Sequence, residues 1–379
     1  MNFFIYLLRL TLIFAAVFLY FQKAFADIKM SGYQEFFMGS ADQTKMLGLN
    51  TSDQTDQSKS GFDNGTYTRI IATASTKLDN GLEVTGVYTL SKDTDSGGNA
   101  DNDGVSVDQN DITVSGGFGT IAFGNTASTG SIMHYRADTI IPTAEPDGAN
   151  YKFFFTAGSN SYGPVNELDY ARDSMKIRYL TNVYEGFSAG ISYASSVMGE
   201  GDTASGTDQN TGTASDYSDI TDFVIKYAGE TDGIGYGITY GYTTGNTQIV
   251  TSTQYNDYEG TMITGELSYA GFTIQAKKLD QGDSGGAVST TDDGEAEGFT
   301  WCAKYGKANF SVGYCDQHSE EKETGVAIKN EMDVKVASIG YDLGGGVNVS
   351  AAYFSHEESQ GNTTDTDVDG VFTMVSFGF

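Results

Sequence analysis

From Asp27 to Phe379 the chain is a succession of short runs in which apolar and polar side chains alternate one for one. Leu82, Val84, Gly86, Tyr88 and Leu90 point one way while Glu83, Thr85, Val87 and Thr89 point the other, the two-residue period of a β-strand with unlike faces. The pattern returns in Phe187, Ala189, Ile191 and Tyr193, in Ile234, Tyr236, Ile238 and Tyr240, and in Phe299, Trp301, Ala303 and Tyr305. It closes the chain as Val371, Thr373, Val375, Phe377 and Phe379.

Two kinds of connection separate these runs, and they take turns. Tight, Gly- and Asn-bearing turns are expected at 79–81, 116–119, 182–186, 229–233, 270–271, 306–309 and 342–346. Longer stretches rich in Asp, Ser, Thr and Gly intervene near 41–64, 93–106, 126–173, 196–218, 244–258, 280–296, 318–331 and 357–369. Fifteen connections predict sixteen antiparallel strands. The 353 residues from Asp27 onward then give about 22 per strand and connection, room for a membrane strand of ~10 residues plus a turn or loop. Eight strands would leave the loops too long. Both chain ends fall on the short-turn side, the periplasmic side of an outer-membrane barrel.

Before Asp27 the pattern changes. An apolar run from Leu10 to Phe21, preceded by Arg9 and closed by Ala24, Phe25 and Ala26, reads as a signal peptide over residues 1–26, cut before Asp27. The domain proper is then 27–379. Beyond Ala26 no stretch approaches the ~20 apolar residues of a membrane-spanning helix, and the mean hydropathy is -0.29. With 48 Gly, 13% aromatic residues, 3 Pro and 2 Cys, the composition suits many short strands.

The formal net charge of -29 becomes -31 once Arg9 and Lys23 leave with the signal peptide. Such a surface repels nucleic acid, so no nucleic-acid partner is expected. Acidic chains that stay disordered are poor in aromatics, whereas Tyr and Phe recur here along the whole length. Alternation alone also fits a soluble sandwich or propeller. The aromatics favour a membrane barrel, because Tyr227, Tyr269, Tyr305 and Tyr341 stand just before short turns, as in an interfacial girdle.

Pro142, Pro146 and Pro164, all the prolines, lie in the longest connection, 126–173. Proline lacks the donor that a barrel ladder needs, so this segment is irregular rather than wall, and a loop this long is usually functional. The strand, turn and strand Asp111-Ile-Thr-Val-Ser-Gly-Gly-Phe-Gly-Thr-Ile-Ala-Phe-Gly-Asn125 ahead of it, the opening strand Asp27-Ile-Lys-Met-Ser-Gly-Tyr33 and the terminal Phe379 resemble the general porins of Gram-negative bacteria, most closely those of alphaproteobacteria.

That resemblance implies an all-β fold, a 16-stranded antiparallel transmembrane β-barrel forming homotrimers, with the long third loop folded into the lumen. The loop carries Asp138, Glu145, Asp147, Glu167, Asp169 and Asp173 against Arg136, Lys152 and Arg172, which implies an acidic constriction. Family members set basic wall residues opposite the loop. Parity places Arg69 on the lumen face of the second strand and Lys176 with Arg178 on that of the sixth, while Glu35 stands where the first strand often offers a base. The resemblance also makes Phe379 an assembly signal.

Other motifs add less. Gly282-Asp-Ser-Gly-Gly286 matches a trypsin-like nucleophile segment, yet His134, His318 and His356 have no protease-like context, and the match reads as loop composition. Asp93, Asp95, Asp101 and Asp103 alternate as in a calcium loop but lack the closing Glu, so at most weak divalent binding is expected there. No zinc-ligand spacing is present, and no cofactor is expected. Cys302 and Cys315 flank one short turn on the lumen face. A register pairing Tyr305 with Phe310 offsets them beyond bonding reach, and a slightly shifted turn opposes them and permits a disulfide.

These readings converge on an outer-membrane general diffusion porin passing small hydrophilic solutes and ions, with lipid and lipopolysaccharide around it, a preference for cations and no chemical step. A substrate-selective porin of the same fold and a plugged structural or adhesive surface barrel are the alternatives, and a hydrolase lacks a plausible His-based site.

Overall fold

The computed structural model describes residues 26–43, 61–93, 105–146, 168, 174–196, 217–247, 256–284, 295–322, 329–360 and 364–379. The expected signal peptide, apart from Ala26, lies outside them. The strands are β1 (Asp27–Gln43), β2 (Gly61–Lys77), β3 (Glu83–Asp93), β4 (Ser106–Gly116), β5 (Gly119–Asn125), β6 (Met175–Leu180), β7 (Phe187–Ser196) and β8 (Tyr217–Thr231). They continue as β9 (Ile234–Thr247), β10 (Tyr258–Tyr269), β11 (Phe272–Gly282), β12 (Ala296–Lys307), β13 (Phe310–Lys322), β14 (Lys329–Gly344), β15 (Val347–Gln360) and β16 (Thr364–Gly378).

Each strand pairs antiparallel with its sequence neighbours, and β1 pairs with β16 to close a barrel of sixteen strands. Closure leaves no edge, which is what lets a sheet stand in lipid. The final residue completes the seam: Gly32 N donates to Phe379 O, and Phe379 N donates to Gly32 O, both at 3.0 Å.

Alternation decides what each face meets. Along β1, Phe37, Ala41 and Gln43 are buried inward while Ile28, Met30 and Phe36 stand exposed outward. The outward set goes on through Ile177, Ile191, Phe223, Ile225, Ile263, Ile274, Ile339 and Val371, an apolar belt around the wall. Tyr227, Tyr269, Tyr305 and Tyr341 all lie on that outer face beside short turns, where Phe187 meets Tyr227 at 4.6 Å and Phe272 meets Tyr305 at 4.4 Å between ring centroids. Toward the other end, Tyr193, Tyr242 and Tyr353 donate to Asp219 (2.6 Å), Glu259 (3.0 Å) and Asp369 (2.6 Å), so the belt ends in a polar ring.

The short turns fall where the glycines placed them. Asp232 with Gly233 and Ala270 with Gly271 hold φ of 51°, 78°, 49° and 88°, the left-handed pair of a tight hairpin whose twist matches the strands. The long connections are shorter than the sequence suggested on one side of the barrel. Residues 318–331 read as loop in sequence, but β13 runs on to Lys322 and β14 begins at Lys329. Residues 357–369 likewise shrink to 361–363 between β15 and β16. Acid-rich sequence reads as loop, yet the backbone ladder continues wherever a neighbouring strand extends equally far.

Candidate functional site

The inner surface has two unlike walls. On β2 to β4 it is mostly polar: Arg69, Thr73, Thr89, Ser91 and Asp111 point inward beside Ile71 and Val87, and a bulge in β4 turns Asp108 inward as well. Arg69 and Asp108 form an ion pair at 3.1 Å with side chains 31% and 15% exposed, and Ser91 donates to Asp108 at 2.5 Å. Tyr33 stands opposite Arg69 in register, and its ring lies 5.7 Å from that of Tyr67.

Residues 126–146 take the other side. They begin where β6 presents Lys176 and Arg178: Lys176 Nζ donates to Thr126 O at 2.5 Å, and Arg178 donates to Thr126 Oγ1 at 3.1 Å and to Ala127 O. Ser128 caps a short helix, α1 (Thr129–Met133), by accepting from Ser131 N at 3.2 Å. Ser192 on β7 accepts from Thr129 N at 3.0 Å and donates to the buried Asp222 of β8 at 2.6 Å, and Thr243 of β9 donates to that carboxylate at 2.7 Å. Thr239 of β9 donates to Met133 O at 3.2 Å, Tyr135 N donates to Thr264 of β10 at 2.9 Å, and Lys226 Nζ sits 3.9 Å from the centre of the Tyr135 ring.

A single 3-10 turn, Ala137–Thr139, then brings Asp138 to Lys277 of β11. Their charged atoms are 2.5 Å apart, and the side chains are 1% and 0% exposed. A pair so thoroughly withdrawn from water is costly to form and far costlier to break, because removing one member strands a buried charge. Nearby His134 has Nδ1 2.9 Å from Gly130 O. Burial, followed by the positive charges of Lys277 and Arg136, pushes its pKa down to about 3.

Beyond Asp138 the segment enters an apolar cluster. Ile141 and Ala144 are buried with Phe37 of β1, Val334 and Val336 of β14, Phe354 of β15 and Phe372 of β16. Cys302 and Cys315 belong to the same cluster. They are direct cross-strand partners, fully buried, and their sulfurs are bonded. The two-residue turn at 308–309 pairs Lys307 with Phe310, which is the register that opposes them.

Inner-wall glycines make the room. A Cβ on Gly313 of β13 would lie 2.5 Å from Ile141 Cγ2, one on Gly340 of β14 2.8 Å from Pro142 Cβ, and one on Gly190 of β7 2.5 Å from Thr129 Cγ2. On Gly237 of β9 it would fall on the Tyr135 hydroxyl. No signal in a single sequence separates such glycines from those of turns, except that they sit at inward positions within strands.

The nominated residues are thus partly assembled. Arg69, Lys176, Arg178 and Glu35 all lie on inward positions, with Glu35 in register with Tyr67 and Ser376. Lys176 and Arg178 hold the root of the segment instead of facing it across an opening. Asp138 and Glu145 are described, Asp138 as the partner of Lys277, a residue that no sequence spacing singles out. Asp147, Glu167 and Asp169 lie outside the described residues, as do Asp95, Asp101 and Asp103, while Asp93 ends β3. Ser284 of the protease-like run donates to Glu259 O at 2.8 Å and Gln281 O at 2.5 Å, bonds of a turn.

A closed antiparallel barrel with an apolar outer belt, aromatic girdles and a polar inner wall defines a transmembrane β-barrel protein. The family model for Gram-negative porins matches residues 15–377. The chain therefore belongs to the Gram-negative porin family, and it is an outer-membrane porin. No curated sequence matches it. Among solved structures it is similar to a loop-deletion mutant of an outer membrane protein of Vibrio cholerae, at TM-score 0.59 and 9% identity, covering 94% of this chain and 100% of that one. An anion-selective porin from Comamonas acidovorans gives TM-score 0.59 and 12% identity over 93% and 100% of the two chains. A triple mutant of Rhodopseudomonas blastica porin gives 0.54 and 14%, again over 93% and 100%. At such identities the likeness is one of fold.

Proposed function

We propose that the protein is a general diffusion porin, in which residues 126–146 fold into the lumen and narrow it against the wall of β2 to β4. The observation that carries this reading is the path of the segment. It bonds or packs against inward side chains from β6 around to β16, while the β2–β4 wall keeps its Arg69–Asp108 pair partly exposed. A water-filled passage along that wall admits small hydrophilic solutes by size and charge, with no chemical step. By family likeness the barrel assembles as a homotrimer in lipopolysaccharide-bearing membrane after removal of residues 1–26, and Phe379 marks the last strand for assembly.

Selectivity follows charge, not fold, since a porin of the same architecture is described as anion-selective. Asp138 and Lys277 cancel each other, so the acidic excess of the connection rests on Glu145, Asp147, Glu167, Asp169 and Asp173 against Arg136, Lys152 and Arg172. With Glu35 on the wall this favours cations, because carboxylates in a narrow, low-dielectric zone raise the local cation concentration. A second reading, a plugged barrel, draws on the apolar cluster around Phe354 and the disulfide. Swelling of proteoliposomes in sugars of increasing size separates the two. A rate that falls steeply with solute size is expected, and no swelling with the smallest sugar would exclude diffusion.

A further inference from the structure

On the outer face, where β13 and β14 run beyond the apolar belt, three metal-binding side chains converge. His318, Glu320 and Glu331 each bring a ligand atom within 4.8 Å of the others. The ladder fixes this convergence: Glu320 is the direct cross-strand partner of Glu331, and His318 that of Asp333. Their side chains occupy the outward positions, between the inward Gln317, Ser319, Asn330 and Met332.

We propose that His318, Glu320 and Glu331 form a binding site for a divalent first-row metal ion of the Zn2+ type. The donor set is one imidazole and two carboxylates, which suits such an ion better than Ca2+, whose sites are built from oxygens alone. Orientation of the imidazole agrees. His318 Nδ1 lies 2.9 Å from Asp333 Oδ1, so the Nδ1–H is donated to the carboxylate. In the neutral ring this leaves the lone pair on Nε2, the nitrogen 3.5 Å from Glu320 Oε2, free to take the metal in place of a proton. A carboxylate behind a ligating histidine is the usual outer partner of a zinc-bound imidazole.

Electrostatics point the same way. Asp280, Glu297, Glu320 and Glu331 stand in one row across β11 to β14, each opposite the next. Like charges directly opposed across strands destabilise a sheet. Lys278 bonds Glu297 at 2.9 Å within that row, and a divalent ion between Glu320 and Glu331 adds positive charge to it. Bound there, the metal staples the outer ends of β13 and β14 beside the connection at 323–328. The ligands escape sequence spacing rules because they come from two strands whose register is set by pairing.

The test is calorimetric titration of untagged full-length protein, folded in detergent, with Zn2+, and Co2+ absorption as a second readout of coordination. Saturable binding of one ion per chain is expected. His318→Gln and Glu331→Gln should each weaken it at least about tenfold, and Asp333→Asn by a similar factor through the imidazole. Glu185→Gln, at an exposed acid of the short turn between β6 and β7 at the other end of the barrel, should leave it unchanged. Absence of saturable Zn2+ binding to the wild type overturns the proposal. So does a His318→Gln protein that binds as tightly as the wild type, or a bound ion that Ca2+ displaces at equal concentration, since either outcome means diffuse attraction to acids.

Discussion

The two inner walls differ in what they are built to tolerate. The inner face of β12 to β16 buries Val336, Phe354 and Phe372 almost completely, along with the Cys302–Cys315 bond, under Ile141 and Ala144. The inner face of β2 to β4 leaves Arg69 and Asp108 partly in solvent. One wall is a seat, whose energy comes from burial and shape; the other, on the proposed reading, lines the passage, with a charged pair that keeps partial contact with solvent. Stability should therefore be sensitive on the first wall and nearly flat on the second, while permeation should show the reverse order.

The largest effect is expected where the segment is pinned. Asp138→Asn leaves Lys277 buried without its carboxylate and should cost about 3–5 kcal/mol, whereas Asp138→Leu with Lys277→Leu should recover most of that loss. Denaturant unfolding of the refolded barrel measures both. If the single change costs no more than the double, the buried pair is not what holds the segment. Next, Cys302→Ala with Cys315→Ala, or reduction, removes a link across 13 residues and should lower stability by about 2–3 kcal/mol. Gly313→Val forces a side chain into the space of Ile141, 2.5 Å from a built Cβ, and should cost about 1–3 kcal/mol while raising conductance as the segment lifts.

Acid probes the same seat. The pKa of His134 is lowered from the ordinary 6.5 to about 3, so the unfolded chain takes up its proton first as pH falls. The contribution of the neutral imidazole is complete above pH 6.5 and is lost progressively between 6.5 and about 3. Conductance noise should rise over that window in the wild type and less so in His134→Gln. A pH-independent wild type contradicts this. Smallest in stability is Arg69→Gln on the β2–β4 wall: the pair is partly solvated and Asp108 keeps its bond from Ser91, so the loss should stay at about 1 kcal/mol, yet the change should move the reversal potential toward cations.

How much of this was legible follows from which residues speak locally. Period-two alternation and the glycines of 232–233 and 270–271 carry their own conformational preferences, so strand number, face and order were readable. Arg69, Lys176 and Arg178 follow the same alternation, which is a local property of each strand. The Asp138–Lys277 pair was not readable, because the two are 139 positions apart and meet only when the barrel closes. The outer ends of β13 to β16 read as loops in sequence because acids crowd there. Their pairing is decided by neighbouring strands, which composition does not express.

Single-channel recording of the purified full-length protein in a planar bilayer tests the central claim most directly, that water and ions pass between residues 126–146 and the β2–β4 wall. The account predicts discrete open steps in symmetric salt, larger in Gly313→Val than in the wild type, and a reversal potential of cationic sign in a salt gradient that Arg69→Gln makes more so. Bilayers that stay silent after verified insertion of folded protein, in the wild type and Gly313→Val alike, would contradict it.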